Sequence, residues 1–160
     1  MKKLMLLVVL CSVVLLGGCS GYMASTTHIS KDNPYLDFQL KTIDYLSYEL
    51  TVTNKTNQDV EIIWDKTMYI NENNTTNDGF MFGDEIYYED RARQQKTTTI
   101  FAKESMKKTL YPACLTSWRR SWSHNYLPSG KTGVYLTAKV GDEVVTQRLY
   151  IKISYEEPKK

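Results

Sequence analysis

The chain has 160 residues, with 20 lysines and arginines against 18 aspartates and glutamates for a formal net charge of +2. So small an imbalance argues against general nucleic-acid affinity. Three cysteines exclude a disulfide framework, and the length suits one domain with its own hydrophobic core.

Met1-Lys2-Lys3 gives a basic start, residues 4–16 are almost wholly apolar, and Gly17-Gly18 lead to Cys19. An apolar run of about a dozen residues falls short of the roughly 20 that span a bilayer, so residues 1–18 read as a cleaved secretory signal peptide. Leu16-Gly17-Gly18-Cys19 resembles, position by position, the lipobox of bacterial lipoproteins. The resemblance implies cleavage before Cys19, a lipid on its thiol, and acylation of the new amino group by a chain such as palmitate. At about 0.8 kcal/mol per buried methylene, two or three acyl chains hold a protein on a membrane where one does not. The rival is an ordinary signal cut near Ala24, which discards Cys19. Ser20 stands where an aspartate would resemble an inner-membrane retention signal, so the expected location is the cell envelope, at the outer membrane in a host that has one.

Loss of Lys2 and Lys3 with the leader makes the mature chain formally neutral. Cys11 is discarded and Cys19 is lipidated, which leaves Cys114 without an intrachain partner. Cys114 is expected to be a buried small apolar residue, with an intermolecular disulfide or a reactive thiol as the alternatives.

Residues 19–34 carry small and polar side chains without either period, and read as a tether in which His28 is solvated. The domain proper is expected over residues 35–155. Leu36, Phe38 and Leu40 alternate with polar neighbours, and residues 45–53 repeat the pattern with Leu46, Tyr48, Leu50 and Val52 inward. A turn at residues 54–59 leads to a strand at 60–64, with Val60, Ile62 and Trp64 inward and Ile63 covered on the other face. Residues 67–71 continue as a strand with Met68 and Ile70 inward. The asparagine-dense residues 71–83 read as a long exposed loop. Residues 84–89 suggest a short strand, 91–95 a helical turn, and 97–101 and 105–111 two further strands.

Residues 116–130 read as a second long loop. Residues 133–140 and 143–154 then flank Gly141-Asp142, whose leading glycine suits a type II′ hairpin. That turn pairs Val140 with Glu143, Ala138 with Val145 and Val134 with Leu149. It places Val134, Leu136, Ala138, Val145, Leu149 and Ile151 on one face. Residues 156–160 are a polar tail.

Seven to nine short alternating strands with regular turn signals and no long amphipathic helix predict an all-β fold, a β-sandwich, with a small closed barrel as the rival. Leu50 or Val52 followed by Trp64, and residues 132–138 with Tyr135, resemble an immunoglobulin-like β-sandwich. In the register of that family Tyr135 and Thr137 face the core, whereas alternation places Val134, Leu136 and Ala138 there. The expectation is therefore an immunoglobulin-like sandwich without the exact family topology. The mature chain, with its Leu-Thr-Val-Thr-Asn turn, Val-Glu-Ile-Ile-Trp-Asp strand and late hairpin, also resembles small Campylobacter-type surface lipoproteins of that fold. No catalytic motif comes with the resemblance.

The best candidate for binding is the aromatic and basic loop of Trp118, Arg119, Arg120, Trp122, His124 and Tyr126, the residue mix of protein-interface hot spots. Its plain alternative is that the tryptophans cap the end of the sandwich. Asp84, Glu85, Glu89 and Asp90 lack the spacing of a calcium loop, and zinc finds too few ligands, so no metal and no cofactor is expected. Cys114, Ser121 or Ser123 with His124 has the residue types for a nucleophile and base but no activating motif. Glu72-Asn73-Asn74-Thr75-Thr76 resembles the acidic-extended sequon of bacterial glycosylation, with Asn74 as acceptor. The expected function is a non-enzymatic, lipid-anchored surface or envelope module that binds a protein or glycan through long loops, as in adhesion or host interaction. The alternative is a periplasm-facing enzyme inhibitor or envelope-assembly accessory.

Overall fold

Alternation of apolar and polar side chains sets the architecture, because a strand with one apolar face must lay that face against another sheet. The structure is a computed structural model that describes residues 22–82, 97–118 and 122–156, without the side chains of Tyr22, Trp118 and Trp122. One sheet runs in the order β1 (Tyr22–Ser25), β13 (Glu143–Glu156), β12 (Gly130–Val140), β5 (Val60–Ile63) and β8 (Thr97–Ile100), with β6 (Met68–Ile70) also on β12. The second runs β2 (His28–Ser30), β3 (Leu36–Thr42), β4 (Tyr48–Asn54), β9 (Ser105–Pro112) and β7 (Phe80–Phe82). A separate ribbon joins β10 (Thr116–Trp118) to β11 (Trp122–His124).

The sheets enclose one core. Leu36, Phe38, Leu40, Leu50 and Val52 on the second sheet meet Val60, Ile62, Val134, Leu136, Leu149 and Ile151 on the first, all buried. Trp64 joins them from a 3-10 turn over Trp64–Lys66, its ring 4.8 Å edge-on from Phe82 and its Nε1 donating to Thr98 Oγ1 at 2.7 Å. The pairing is antiparallel and neither sheet closes on itself, so the fold is a β-sandwich and the barrel alternative is set aside.

The β12–β13 hairpin has the register expected from its turn, with Val140 opposite Glu143, Ala138 opposite Val145 and Val134 opposite Leu149. Gly141 alone takes positive φ there, +60°, which is the type II′ requirement. Val134, Leu136 and Ala138 face the core while Tyr135 is half-exposed, as alternation requires.

Register also defines two ends. At the proximal end lie the start of β1, the end of β13, the start of β12, the β3–β4 turn and the β9 terminus that leads to the ribbon. Glu72, whose Cβ lies 3.6 Å from a Cβ built on Gly130, brings the asparagine loop to the same end. The distal end holds the Gly141-Asp142 turn, the 55–59 turn and the 101–104 turn.

Several expectations need correction. Residues 22–30 are not tether: β1 pairs with β13 and β2 with β3, their open backbone groups completing the edges of the sheets. His28 is accordingly half-buried and not solvated. In β6 the inward residue is Tyr69 with Ile70 also buried, and Met68 is exposed; the 3-10 turn before it shifts the phase of the strand. Phe80–Phe82, expected within a loop, pairs with β9. The second long loop is partly the β10–β11 ribbon. Cys114 is exposed on a 3-10 turn over Ala113–Leu115. Among the described residues there are thirteen strands, more than the seven to nine expected, because the edges recruit short segments. Cys19 and the expected leader, the strand expected at 84–89 with its acids, the turn expected at 91–95, Arg119, Arg120, Ser121 and residues 157–160 lie outside the described residues.

Candidate functional site

The proximal end gathers the exposed tyrosines Tyr45, Tyr126 and Tyr155, while the exposed Phe101 lies in the distal 101–104 turn. In the β3–β4 turn Ile43 N–H donates to Ser47 O at 3.3 Å, and Asp44 Oδ1 accepts from Leu46 N–H and from the Ser47 hydroxyl, each at 2.8 Å. This aspartate-capped turn puts Tyr45 at its tip. The Tyr45 ring stacks on Tyr155 with centroids 6.2 Å apart and planes 14° apart, and meets Tyr126 at 5.6 Å. Leu127 N–H donates to Tyr45 O at 2.8 Å, the Tyr155 hydroxyl donates to Leu127 O, and the Leu127 side chain is fully buried. Burial pushes the Tyr155 hydroxyl above the ordinary phenol value, so it stays a protonated donor.

The ribbon stands beside this cluster. Thr116 pairs with His124, Ser117 with Ser123 and Trp118 with Trp122. The Ser117 and Ser123 hydroxyls lie 2.7 Å apart, and Ser123 also donates to Ser117 O. Thr116 donates to Pro112 O at 3.1 Å, so His124 Nδ1, 3.2 Å away, is the donor toward the Thr116 hydroxyl. The His124 ring packs 5.0 Å from Tyr111. Asn125 N–H donates to Leu115 O and ties the ribbon to the 3-10 turn of Cys114. The Cys114 thiol is pushed up from its ordinary pKa by partial desolvation and by the charge of Asp78, which holds it in the less reactive protonated form.

Of the six candidate binding residues, Tyr126 and His124 are placed at the proximal end with their contacts, and Trp118 and Trp122 are paired through their backbones. Asn74 sits in a different part of the same end, in a tight turn with φ of 61°. Asn71 Oδ1 accepts from the N–H groups of Asn73 and Thr75 there, and the Tyr150 hydroxyl donates to Asn74 Oδ1 at 2.7 Å. The Asn74 carboxamide is thus held against the outer face of β13.

Sequence reasoning missed two groups. One is Tyr45 and Tyr155, which lie far from Tyr126 and Leu127 in sequence and meet them only through the fold. The other is a cation and aromatic ladder on the outer face of β12 and β13: Lys131 Nζ sits 4.0 Å from the Tyr150 ring, Arg148 donates to the Tyr150 hydroxyl at 3.3 Å, and the Arg148 guanidinium lies 5.5 Å from the Tyr135 ring. Its signal was available as the outward half of the alternation.

Beneath the end, the Tyr48 and Thr132 hydroxyls bond at 2.8 Å between the sheets. The Tyr69 hydroxyl is buried with no hydrogen-bond partner among the described residues, and burial followed by the charge of Glu72 raises its pKa well above the ordinary phenol value. Among the described residues, no three His, Cys, Asp or Glu side chains come together as a metal site. Compared with known proteins, the chain matches no protein-family model and no curated protein.

Proposed function

We propose that the protein is a non-enzymatic, lipid-anchored module of the bacterial cell envelope, held by an acylated Cys19 and making its contacts through the proximal end of the sandwich. The observation that carries this reading is the position of β1. Tyr22 is already paired with Glu156, three residues after Cys19. A mature chain that starts at Cys19 keeps all of β1, whereas a cut after Ala24 leaves one of its four residues. The Leu16-Gly17-Gly18-Cys19 motif favours the same start.

The arrangement around His124 favours contact over catalysis. The Ser123 hydroxyl is engaged by Ser117 and the Thr116 hydroxyl by Pro112, so neither is presented to the imidazole as a proton donor. The exposed rings of Tyr45 and Tyr126 offer instead a large contact area at little conformational cost. Metabolic labelling with a palmitate analogue tests the anchor: wild type takes up label and Cys19→Ala does not. Wild type without label would remove the reading. Turnover of a substrate by the purified protein, lost in His124→Ala, would reassign the end as an active site.

A further inference from the structure

The proximal end carries a contiguous set of exposed apolar side chains, whereas the exposed Phe101 and Val144 of the distal end stand without an aromatic partner among the contacts of Tyr45, Tyr126 and Tyr155. Tyr45 and Tyr155 stack across the gap between the sheets, yet Tyr126 is 68% exposed and Ile43 is 51% exposed. Tyrosine, with an apolar ring and a polar tip, suits the headgroup layer of a bilayer.

Chain length says what covers this patch. Three peptide steps separate Cys19 from Tyr22, a reach of about 10 Å at most. Met23 then pairs with Tyr155, which stacks on Tyr45, which in turn meets Tyr126. A lipid on Cys19 therefore draws the patch to the bilayer with no spare chain to hold it away. The Asp44 carboxylate in the same turn accepts from Leu46 and Ser47, so its hydrogen bonds are turned inward to the turn itself.

We propose that Ile43, Tyr45, Tyr126 and Tyr155 form an interfacial belt that rests in the phospholipid headgroup layer of the membrane entered by the Cys19 acyl chains. The sandwich stands on its proximal end, and the Gly141-Asp142 turn points away from the bilayer. This rests on the acylated anchor proposed above and names the partner of that same end as the anchor's own membrane.

The test uses the acylated mature protein in phosphatidylethanolamine and phosphatidylglycerol vesicles that carry a headgroup nitroxide lipid. In a Cys114→Ser background, a bimane fluorophore is attached at Tyr126→Cys, at Ile43→Cys or at Asp142→Cys. The eleven residues of β12 put the distal turn about 33 Å from the proximal end. The expected result is loss of fluorescence at positions 43 and 126 and none at 142. Unquenched fluorescence at all three sites in acylated protein overturns the docking while leaving the anchor intact. Absence of the acyl group by intact mass overturns both. Quenching absent in vesicles, with positions 43 and 126 shielded from aqueous iodide only in cells, would assign the patch to a protein and also overturn it.

Discussion

Asn54 ties the two sheets together at the distal end. It is fully buried; its Nδ2 donates to Gln58 O, Ile100 O and Phe101 O, and its Oδ1 accepts from the Thr56 N–H and hydroxyl. Asn54→Ala strands these groups and is expected to cost about 3 kcal/mol, read as a lower midpoint in urea unfolding. Glu49 is a smaller case with a pH signature. Its bond to Lys41 at 3.0 Å, with Lys107 at 3.3 Å, lowers its pKa against some desolvation. A depressed carboxylate contributes stability above its unfolded value, and that contribution is lost as pH falls from the ordinary glutamate range through the lowered folded one. Both lysines are more than a third exposed, so solvent screening holds the effect to about 0.5 kcal/mol, and Glu49→Gln should flatten that part of the pH–stability curve. Cys114, exposed but shifted up, should react with a thiol reagent at a rate that keeps rising above the ordinary thiol range; a fast reaction already saturated at neutral pH would contradict the geometry.

Elements differ in how far they are specified locally. The β12–β13 hairpin was legible because its turn residue, register and buried face sit in one stretch of chain and agree. Gly133 within it serves another purpose, since a Cβ there would run into the Leu149 carbonyl oxygen and the Tyr150 backbone. Gly133→Ala should therefore destabilise by about 3 kcal/mol or prevent folding. Gly79→Ala, whose Cβ comes no closer than 3.4 Å to Thr67 O and 4.0 Å to Trp64 O, should be near neutral in the same denaturation series. β6 was misread for a physical reason. The 3-10 turn at Trp64–Lys66 advances the phase, and Tyr69 turns inward to pack 6.3 Å from Tyr48 and 6.4 Å from Phe80. Strands β1, β2 and β7 carry weak patterns of their own; each forms because a longer neighbour offers an unpaired edge.

At the scale of the molecule, the start of the chain and the aromatic ribbon share an end, and that changes what the loops can reach. Protease shaving of intact cells should cut the distal 54–59 and 101–104 turns before the 43–47 turn if the sandwich stands on its proximal end at the cell surface. Full protection would place the domain on the periplasmic side. The residues by themselves determined the all-β fold and the hairpin register, because each depends on short-range periodicity or on a turn contiguous in the chain. Tertiary structure alone decided that Tyr45, Tyr126 and Tyr155 form one patch, that residues 22–30 belong to the sheets, and that His124 and the ribbon lie at the end where β1 begins. Those are contacts between segments far apart in the chain, Tyr22 with Glu156 being the widest, and no local preference encodes them; they follow from which strand edges remain open once the core has closed.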